Sequence, residues 1–549
     1  MKKDVKDFDH LDSLLMLFGI SFLIYLFYKQ YLRVKAWAFH HPRPAALVLT
    51  LVIVVIILAV IGAIGFWVEK RKKQKVIDEV FDKKKDSLYI GLDEFKSAVN
   101  IDLSARKTHT QVIGAPGTGK TENGIFLFAV DDMRNGRGFI LIDGKPEKSS
   151  LTKLTAYAKE TGRLDDLKVL SLADLSISST FNPLMGDSPA QVADRIMQAF
   201  AFDDEYYKSI QQTTVSTILS IFSTVKVVPT FKGLLEALKN PQSVLNMAEH
   251  TSNEDLIEWA KSYKSLSNED REKRTSGLIA HLTPFALGEY SVLFNTDRPE
   301  IDINKALCKN EILYFQLPAL STRDFGKATG KFVLQCLANA IAHRHEVPDS
   351  DRKFFSAYLD DFSEYLYEGF LTILNKSRSA DVGVTFAHQA LGDIESLGEN
   401  IANGIKTDSS LKIFMKCVDP DSADYCSRLV GTESDEKYTQ RSTRGIFGHT
   451  ETGDASVRVV ETFLYHPQVF KNGLGVAEAV MVVPHKYGAS HVRVKFRRLP
   501  DLLPIELPKR ELPLPVGFPA KYKVEKGEKD TGTGNAFSTT TTNKEVKEV

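Results

Sequence analysis

The chain has 549 residues, 43% hydrophobic and 26% charged, a globular composition in a chain too long for one ordinary core. Lys plus Arg and Asp plus Glu balance at 70 each, so no global charge argues for a nucleic-acid partner; such a surface has to be local or made by assembly. Cys308, Cys336, Cys417 and Cys426 lie far apart without a C-x-x-C pair, which argues against a disulfide framework or a zinc site and for buried structural thiols in a reducing compartment.

Leu14 to Tyr28 is apolar and aromatic but short for a bilayer, whereas Ala45 to Val68 is apolar throughout and long enough to span one. A cleaved signal peptide competes for the first stretch. Asp4, Asp7, Asp9 and Asp12 dilute the basic flank it needs, and no small-residue cleavage site follows. We therefore expect a membrane anchor over residues 1–75 with two transmembrane helices, 11–28 and 45–68. Lys2, Lys3 and Lys6 precede the first, and Lys70, Arg71, Lys72, Lys73 and Lys75 follow the second. Lys29, Arg33, Lys35 and Arg43 lie between them, so the basic majority puts both termini in the cytoplasm.

Thr110 to Glu122 reads TQVIGAPGTGKTE, and its Gly114, Gly119, Lys120 and Thr121 satisfy G-x-x-x-x-G-K-[ST], the phosphate-binding loop. Glycines let successive backbone N–H groups turn inward on the phosphates, and the following helix adds its positive end. Lys120 can reach the β- and γ-phosphates, and the Thr121 hydroxyl can take a place on Mg2+. The context suits the motif: Gln111 to Ile113 reads as the end of a buried strand, and Glu122 to Met133 continues as a helix. The candidate nucleotide-binding residues are Gly114, Ala115, Pro116, Gly117, Thr118, Gly119, Lys120 and Thr121.

Gly138 to Asp143 (GFILID) is an apolar strand ending in an acid, and Val169, Leu170 and Leu172 suggest another before Phe181 to Leu184. From Pro189 to about Asn295 the strand signal gives way to apolar residues at spacings of three and four, as expected of an inserted helical domain. Its charged stretch Asn268 to Arg274 reads as a solvated helix face. Strand signals return at Ile312 to Leu317, before an amphipathic helix from Gly326 to His343. They recur at Phe354 to Asp361 (FFSAYLDD), Val382 to Ala387, Leu411 to Cys417 and Ala479 to Val483. Alternating strands and helices argue for a mainly parallel sheet. Ser434 to Asp454 reads as a polar loop or a hairpin, and beyond Pro500 the chain is proline-rich, then too low in complexity to order itself.

A phosphate loop needs an acid at a strand end for the Mg2+ shell and a base or water-positioning group beside it. Asp360 is placed for the first role and Asp361 for the second, unless they are ordinary surface acids at a strand terminus. Arg378 is an arginine finger toward a neighbouring subunit or a solvated helix-end cation; Gln389 senses the γ-phosphate or caps the next turn; His388 reads as structural.

Taken in order, the two apolar N-terminal segments, GAPGTGKT, FILIDGK, FNPL before a helical insertion, AYLDDFSEY, NKSRSADVGVTFAHQALGDI and KIFMKCVDPDSADYCSRLVG resemble the type IV coupling proteins. These are the TraD/TraG-like ATPases of conjugation and type IV secretion, and the resemblance covers residues 10 to 500. It implies an α/β fold: a RecA-like P-loop NTPase domain over 76–182 and 300–500, an all-α domain over 183–299, and a tail over 501–549. It further implies a homo-hexameric ring on membrane lipid, a multi-pass protein of the bacterial inner membrane with its ATPase domain cytoplasmic. Such a ring links a relaxase–DNA complex or protein effectors to the secretion channel and uses ATP with Mg2+ to move single-stranded DNA. Carried over, Lys120 and Thr121 bind phosphate, Thr121 and Asp360 hold the metal, Asp361 is the catalytic carboxylate, Arg378 the finger and Gln389 the sensor. Two departures stand out: Asp361 stands where the family usually has Glu, with Glu364 as a possible helper, and the loop between the apolar segments is short. An FtsK-like double-stranded DNA translocase and a nucleotide-binding recruiting scaffold are the alternatives.

Overall fold

A computed structural model describes residues 86–522, apart from 146–147, 203, 397 and 446–447. The described residues all fall within one compact unit. The expected transmembrane segments and low-complexity tail lie outside the described residues. Among those residues, no helix is long and apolar enough to cross a membrane.

In chain order the strands are β1 (Ser87–Asp93), β2 (Ala98–Asp102), β3 (Thr110–Ile113), β4 (Phe139–Asp143), β5 (Leu167–Ser171), β6 (Ile312–Gln316) and β7 (Phe355–Asp360). They continue as β8 (Val382–His388), β9 (Leu411–Phe414), β10 (Thr432–Gly445), β11 (Gly448–Phe463), β12 (Glu478–His485) and β13 (Gly488–Phe496). All but β10 and β11 join one sheet in the order β2-β1-β13-β12-β9-β3-β8-β7-β4-β6-β5. From β9 to β5 every neighbouring pair is parallel. Beyond β9 the sheet turns antiparallel. TQVI, FILID, ILYFQ, FSAYLD and VGVTFAH are buried at every position, the near-continuous apolar run of strands covered on both faces. The carboxyl ends of the parallel strands therefore gather on one edge, where such sheets place their ligands. β10 and β11 resolve the polar stretch into a separate two-stranded hairpin, with a register shift between Gln440 and Ser442.

Between β5 and β6 the chain runs through helices that side chains start cleanly. Ser188 and Gln191 form a capping box, and Asp204, Thr230, Asn240, Asn253 and Ser267 each accept a backbone N–H of the helix that follows. This domain shares its core with the sheet domain. The Phe285 ring packs on Phe231 (4.7 Å between centroids) and on Phe325 (4.1 Å) and Phe332 (5.5 Å) of the helix that follows β6. That helix, Ala319–Arg344, starts earlier than its amphipathic pattern suggested and is broken at Arg323, whose φ is 43°. Of the four cysteines, Cys417 and Cys426 are buried, Cys336 is half-buried and Cys308 is exposed, so a buried structural role does not extend to Cys308.

The proline-rich stretch beyond β13 packs as a strap that sequence composition did not foretell. Tyr157 donates to Pro500 O, and Thr155 Oγ1 donates to Ile505 O (3.1 Å). Val516 N reaches Asn295 O (2.7 Å), and Phe518 N reaches Glu236 Oε2 (2.8 Å). Leu512, Pro515 and Phe518 lean inward at the three-residue period of an extended proline-type helix, while Leu503 and Leu514 face solvent. The strap thus crosses from the sheet domain to the helical domain and ends at Tyr522, buried beside His250.

Candidate functional site

The phosphate loop leaves β3 at Gly114 and is hung from both neighbouring strands: Gly114 N donates to His388 O (3.3 Å) and Ala115 N to Lys416 O (2.7 Å). Gly117 (φ 76°) and Gly119 (φ 93°) take left-handed conformations that side chains disfavour. A Cβ built on Gly117 would meet nothing within 4 Å, so the loop presents an open concave side. The helix expected after the loop begins with wide π turns, Lys120–Phe126, before the α-helix Leu127–Arg134. Lys120 is buried, and its Nζ donates to Gly114 O (2.6 Å) and Ala115 O (3.3 Å), folded back onto carbonyls of its own loop. Burial lowers its pKa, with Asp361 and Asp360 working against the shift.

β8 lies between β3 and β7, yet the acid of β7 reaches the loop: Thr121 Oγ1 donates to Asp360 Oδ2 at 2.6 Å. Asp361 follows at φ 44° and ψ 46°, a left-handed conformation uncommon outside glycine and found at functional turns. Gln389, at the end of β8, directs Nε2 to Asp361 Oδ1 (3.5 Å). The turn after β8 is capped instead by Asp393, whose Oδ2 accepts from Gln389 N (2.8 Å) and Ala390 N (3.0 Å). The loop, Asp360, Asp361 and Gln389 therefore meet at one edge of the sheet.

One member escaped the sequence reading. Asp143 ends β4 in register with Asp360 of β7 and accepts from Tyr314 OH (2.9 Å) and Lys145 N (3.1 Å). Burial, reinforced by the Asp360 charge, raises the Asp143 carboxyl to about 7. Burial also lifts Asp360 to about 6; Asp361 adds to the shift, and the Thr121 hydrogen bond opposes it. The signal was present in two apolar strands that both end in Asp, FILID and FSAYLD, but their adjacency is a property of the sheet.

Two candidates lie elsewhere. Arg378 is exposed in the turn Arg378–Ala380 before β8, one whole strand, roughly 20 Å, from Gln389 at its other end. It does not reach its own chain's phosphate loop; its charge falls on the buried His109. Glu364 is exposed and pairs with Lys327 (3.4 Å). His388 is structural, as expected. It accepts from Gln111 Nε2 (3.0 Å) and donates from Nδ1 to Ala390 O (2.8 Å), and burial lowers it to about 4, keeping it neutral.

The family described as the TraM recognition site of TraD and TraG matches residues 355–469, from β7 through the hairpin. The "Type 4 coupling protein DotL" of Legionella pneumophila is 21% identical over 389 residues, 59% of this chain and 49% of the relative. The chain thus spans about half the length of that relative. Among solved structures, the unbound bacterial conjugative coupling protein TrwBdeltaN70 superposes with a TM-score of 0.58 at 12% identity, covering 80% of this chain and 94% of that one. TrwB with a non-hydrolysable ATP analogue gives 0.57 at 13% identity, covering 80% and 95%. TrwB with ADP and Mg2+ gives 0.56 at 12%, covering 80% and 94%. These structures share the α/β RecA-like fold with this chain. The family match lies across the acidic strand and a coupling protein is among the relatives, so the chain is similar to the type IV coupling proteins in sequence over part of its length and in fold over most of it.

Proposed function

We propose that the protein is an inner-membrane ATP-driven motor that recruits relaxase–DNA or protein substrates to a type IV secretion or conjugation channel and pumps single-stranded DNA. The observation that carries this reading is the 2.6 Å contact of Thr121 with Asp360 beside Asp361 and Gln389, loop and acids joined across an intervening strand. The solved relatives described as holding ADP with Mg2+ and non-hydrolysable ATP and GTP analogues support nucleotide as the ligand.

In this reading Lys120 exchanges the carbonyls of Gly114 and Ala115 for the β- and γ-phosphates. Thr121 and Asp360 fit Mg2+, which is commonly held by one or two protein oxygens with phosphate and water completing its shell. The ion would supply neutralisation of the phosphate charge when bound. Asp361, set by its left-handed turn and by Gln389, takes the proton of the attacking water, and Gln389 reports the γ-phosphate. Arg378, exposed at the other end of β8, is available to the nucleotide of a neighbouring subunit in a homo-hexamer. The all-α domain contacts substrate, and two helices before residue 76 anchor the ring with both termini cytoplasmic.

The test is steady-state ATPase activity of the full chain with and without single-stranded DNA. Turnover stimulated by DNA, and reduced at least about 100-fold by Lys120→Ala and by Asp361→Asn, is the expected result. Nucleotide binding without turnover would favour the recruiting scaffold, for which the short Asp361 side chain is the supporting feature.

A further inference from the structure

Beneath the phosphate loop a line of buried polar side chains crosses β9, β3 and β8, and the site described above makes no use of it. Gln111 stands at its centre, fully buried on β3, three residues before Gly114. Lys412 of β9 is in register with it. On β8 its register partner is Phe386, and His388, two residues on, projects to the same face. Gln111 Oε1 accepts from Lys412 Nζ (2.8 Å) and from Tyr425 OH (3.3 Å) of the helix Pro420–Val430, while Nε2 donates to His388 Nε2 (3.0 Å). The line ends at the turn after β8, where His388 Nδ1 donates to Ala390 O (2.8 Å).

Charge dictates the direction of this line. Lys412 Nζ has three acceptors, Gln111 Oε1, Lys406 O (2.7 Å) and Ser409 Oγ (2.8 Å), one for each N–H of an ammonium. Burial lowers the Lys412 pKa to about 7, with the Cys426 and Asp408 charges opposing the shift. An ammonium only donates, so Gln111 turns its oxygen to β9 and its NH2 to β8. His388 Nε2 must then accept, and the single proton of the neutral ring sits on Nδ1, the nitrogen that holds Ala390 O. Packing alone needs none of this. Val112, Ile113, Ile413 and Phe414 fill the same strands with buried apolar side chains, whereas an ammonium, an amide and an imidazole are costly to bury. The last bond of the line brackets Gln389: its donor is the residue before and its acceptor the residue after. His388 O also accepts from Gly114 N, so the same residue holds the start of the loop.

We propose that Gln111 is a positioning residue for hydrolysis: braced by Lys412, it fixes the proton of His388 and with it the turn that aims Gln389 at Asp361 and the γ-phosphate. This rests on the reading of the Gly114–Thr121 loop, Asp361 and Gln389 as an ATP-hydrolysing site. Gln111 is buried within the sheet and acts only through His388. ADP, which has no γ-phosphate, engages the loop alone, so the line governs turnover and not ADP affinity.

The test is steady-state ATPase activity of the full chain, with calorimetric titration of ADP and Mg2+ beside it. Gln111→Met should lower kcat about tenfold, with KM and ADP affinity unchanged within about threefold. That substitution strands the Lys412 ammonium. Gln111→Met combined with Lys412→Met replaces the pair by apolar side chains of similar length, and should lower kcat as much while melting no lower than Gln111→Met alone. In a Gln389→Ala background Gln111→Met should remove no further turnover, since one residue acts through the other. An unchanged kcat in the doubly substituted chain, equal losses in kcat and ADP affinity, or a full tenfold loss on top of Gln389→Ala overturns the positioning role and leaves the nucleotide site standing. Turnover that is absent from the unsubstituted chain, or untouched by Gln389→Ala, overturns the hydrolytic reading beneath it and the positioning role with it.

Discussion

Near the amino end of β7, Asp132 is fully buried and accepts from Arg106 (2.7 Å), Arg137 (2.8 Å), Ser356 (2.6 Å) and Tyr358 (2.5 Å). At the carboxyl ends of β7 and its neighbour β4, Asp360 and Asp143 are also buried, but each has one side-chain hydroxyl donor, from Thr121 and Tyr314, and the other acid beside it. Burial raises all three carboxyls. At Asp132 the two arginines outweigh it and leave the group below its ordinary value, whereas Asp143 rises to about 7 and Asp360 to about 6. One end of the sheet is a finished polar network. The other gathers Asp143, Asp360 and Asp361 around Lys120, whose charge lowers Asp360 but whose hydrogen bonds go to carbonyls of its own loop, and that arrangement suits a ligand and a metal.

Breaking the finished end should have the largest effect. Arg106→Ala strips the buried Asp132 of one arginine and should destabilise the protein by about 3–5 kcal/mol, read from urea midpoints. A loss below about 1 kcal/mol would erase the contrast between the two ends. A smaller effect comes from two histidines, one at each end. Burial lowers both His109 and His388 to about 4 from 6.5, with the Arg378 charge adding to the shift at His109. Between those values the unfolded chain binds protons that the folded chain does not, so stability is full above pH 6.5 and falls as pH drops toward 4. By pH 5 each should contribute about 2 kcal/mol of loss, and His388→Gln should remove about half of it. A slope unchanged by that substitution would count against the neutral buried imidazole.

The smallest effect sharpens the unfinished end. Because the folded pKa of Asp143 lies near 7 and its ordinary value is 3.8, the folded chain holds the extra proton between them, and its stability falls as pH rises through that window. Asp143→Asn should therefore stabilise the nucleotide-free protein by about 1–2 kcal/mol at pH 8 and not at all at pH 4, by thermal melting. Saturating Mg2+ and ADP should shrink the gain. Stabilisation that is equal at both pH values would assign the effect to packing and not to charge.

The phosphate loop was legible because its chemistry is contiguous: the glycines, Lys120 and Thr121 stand in one stretch between strand and helix patterns. Asp360 and Asp361 were legible because an apolar strand points to its own end. Asp143 had the same local signature, yet its role depends on β4 lying beside β7, which no local pattern states. Arg378, legible as a finger toward a neighbouring subunit or a solvated cation, and Gln389, legible as a sensor or a cap, are separated by a seven-residue strand, and extended backbone places them at opposite ends of it. The proline-rich strap looked like tail because proline signals an extended backbone, while its docking comes from bonds to residues far away in the chain, Thr155 and Asn295 among them.

By itself, then, the sequence determined the strand and helix periods, the phosphate loop with its lysine and threonine, the acids that close a central strand, and the place of the helical insertion. These follow from backbone periodicity and from chemistry carried by neighbours in the chain. Tertiary structure decided which acids share a site, which have raised pKa values, that Arg378 lies at the far end of β8 from its own phosphate loop and that the strap spans two domains. Strand order, burial and the distance between groups set those outcomes, and each arises only when remote segments pack together.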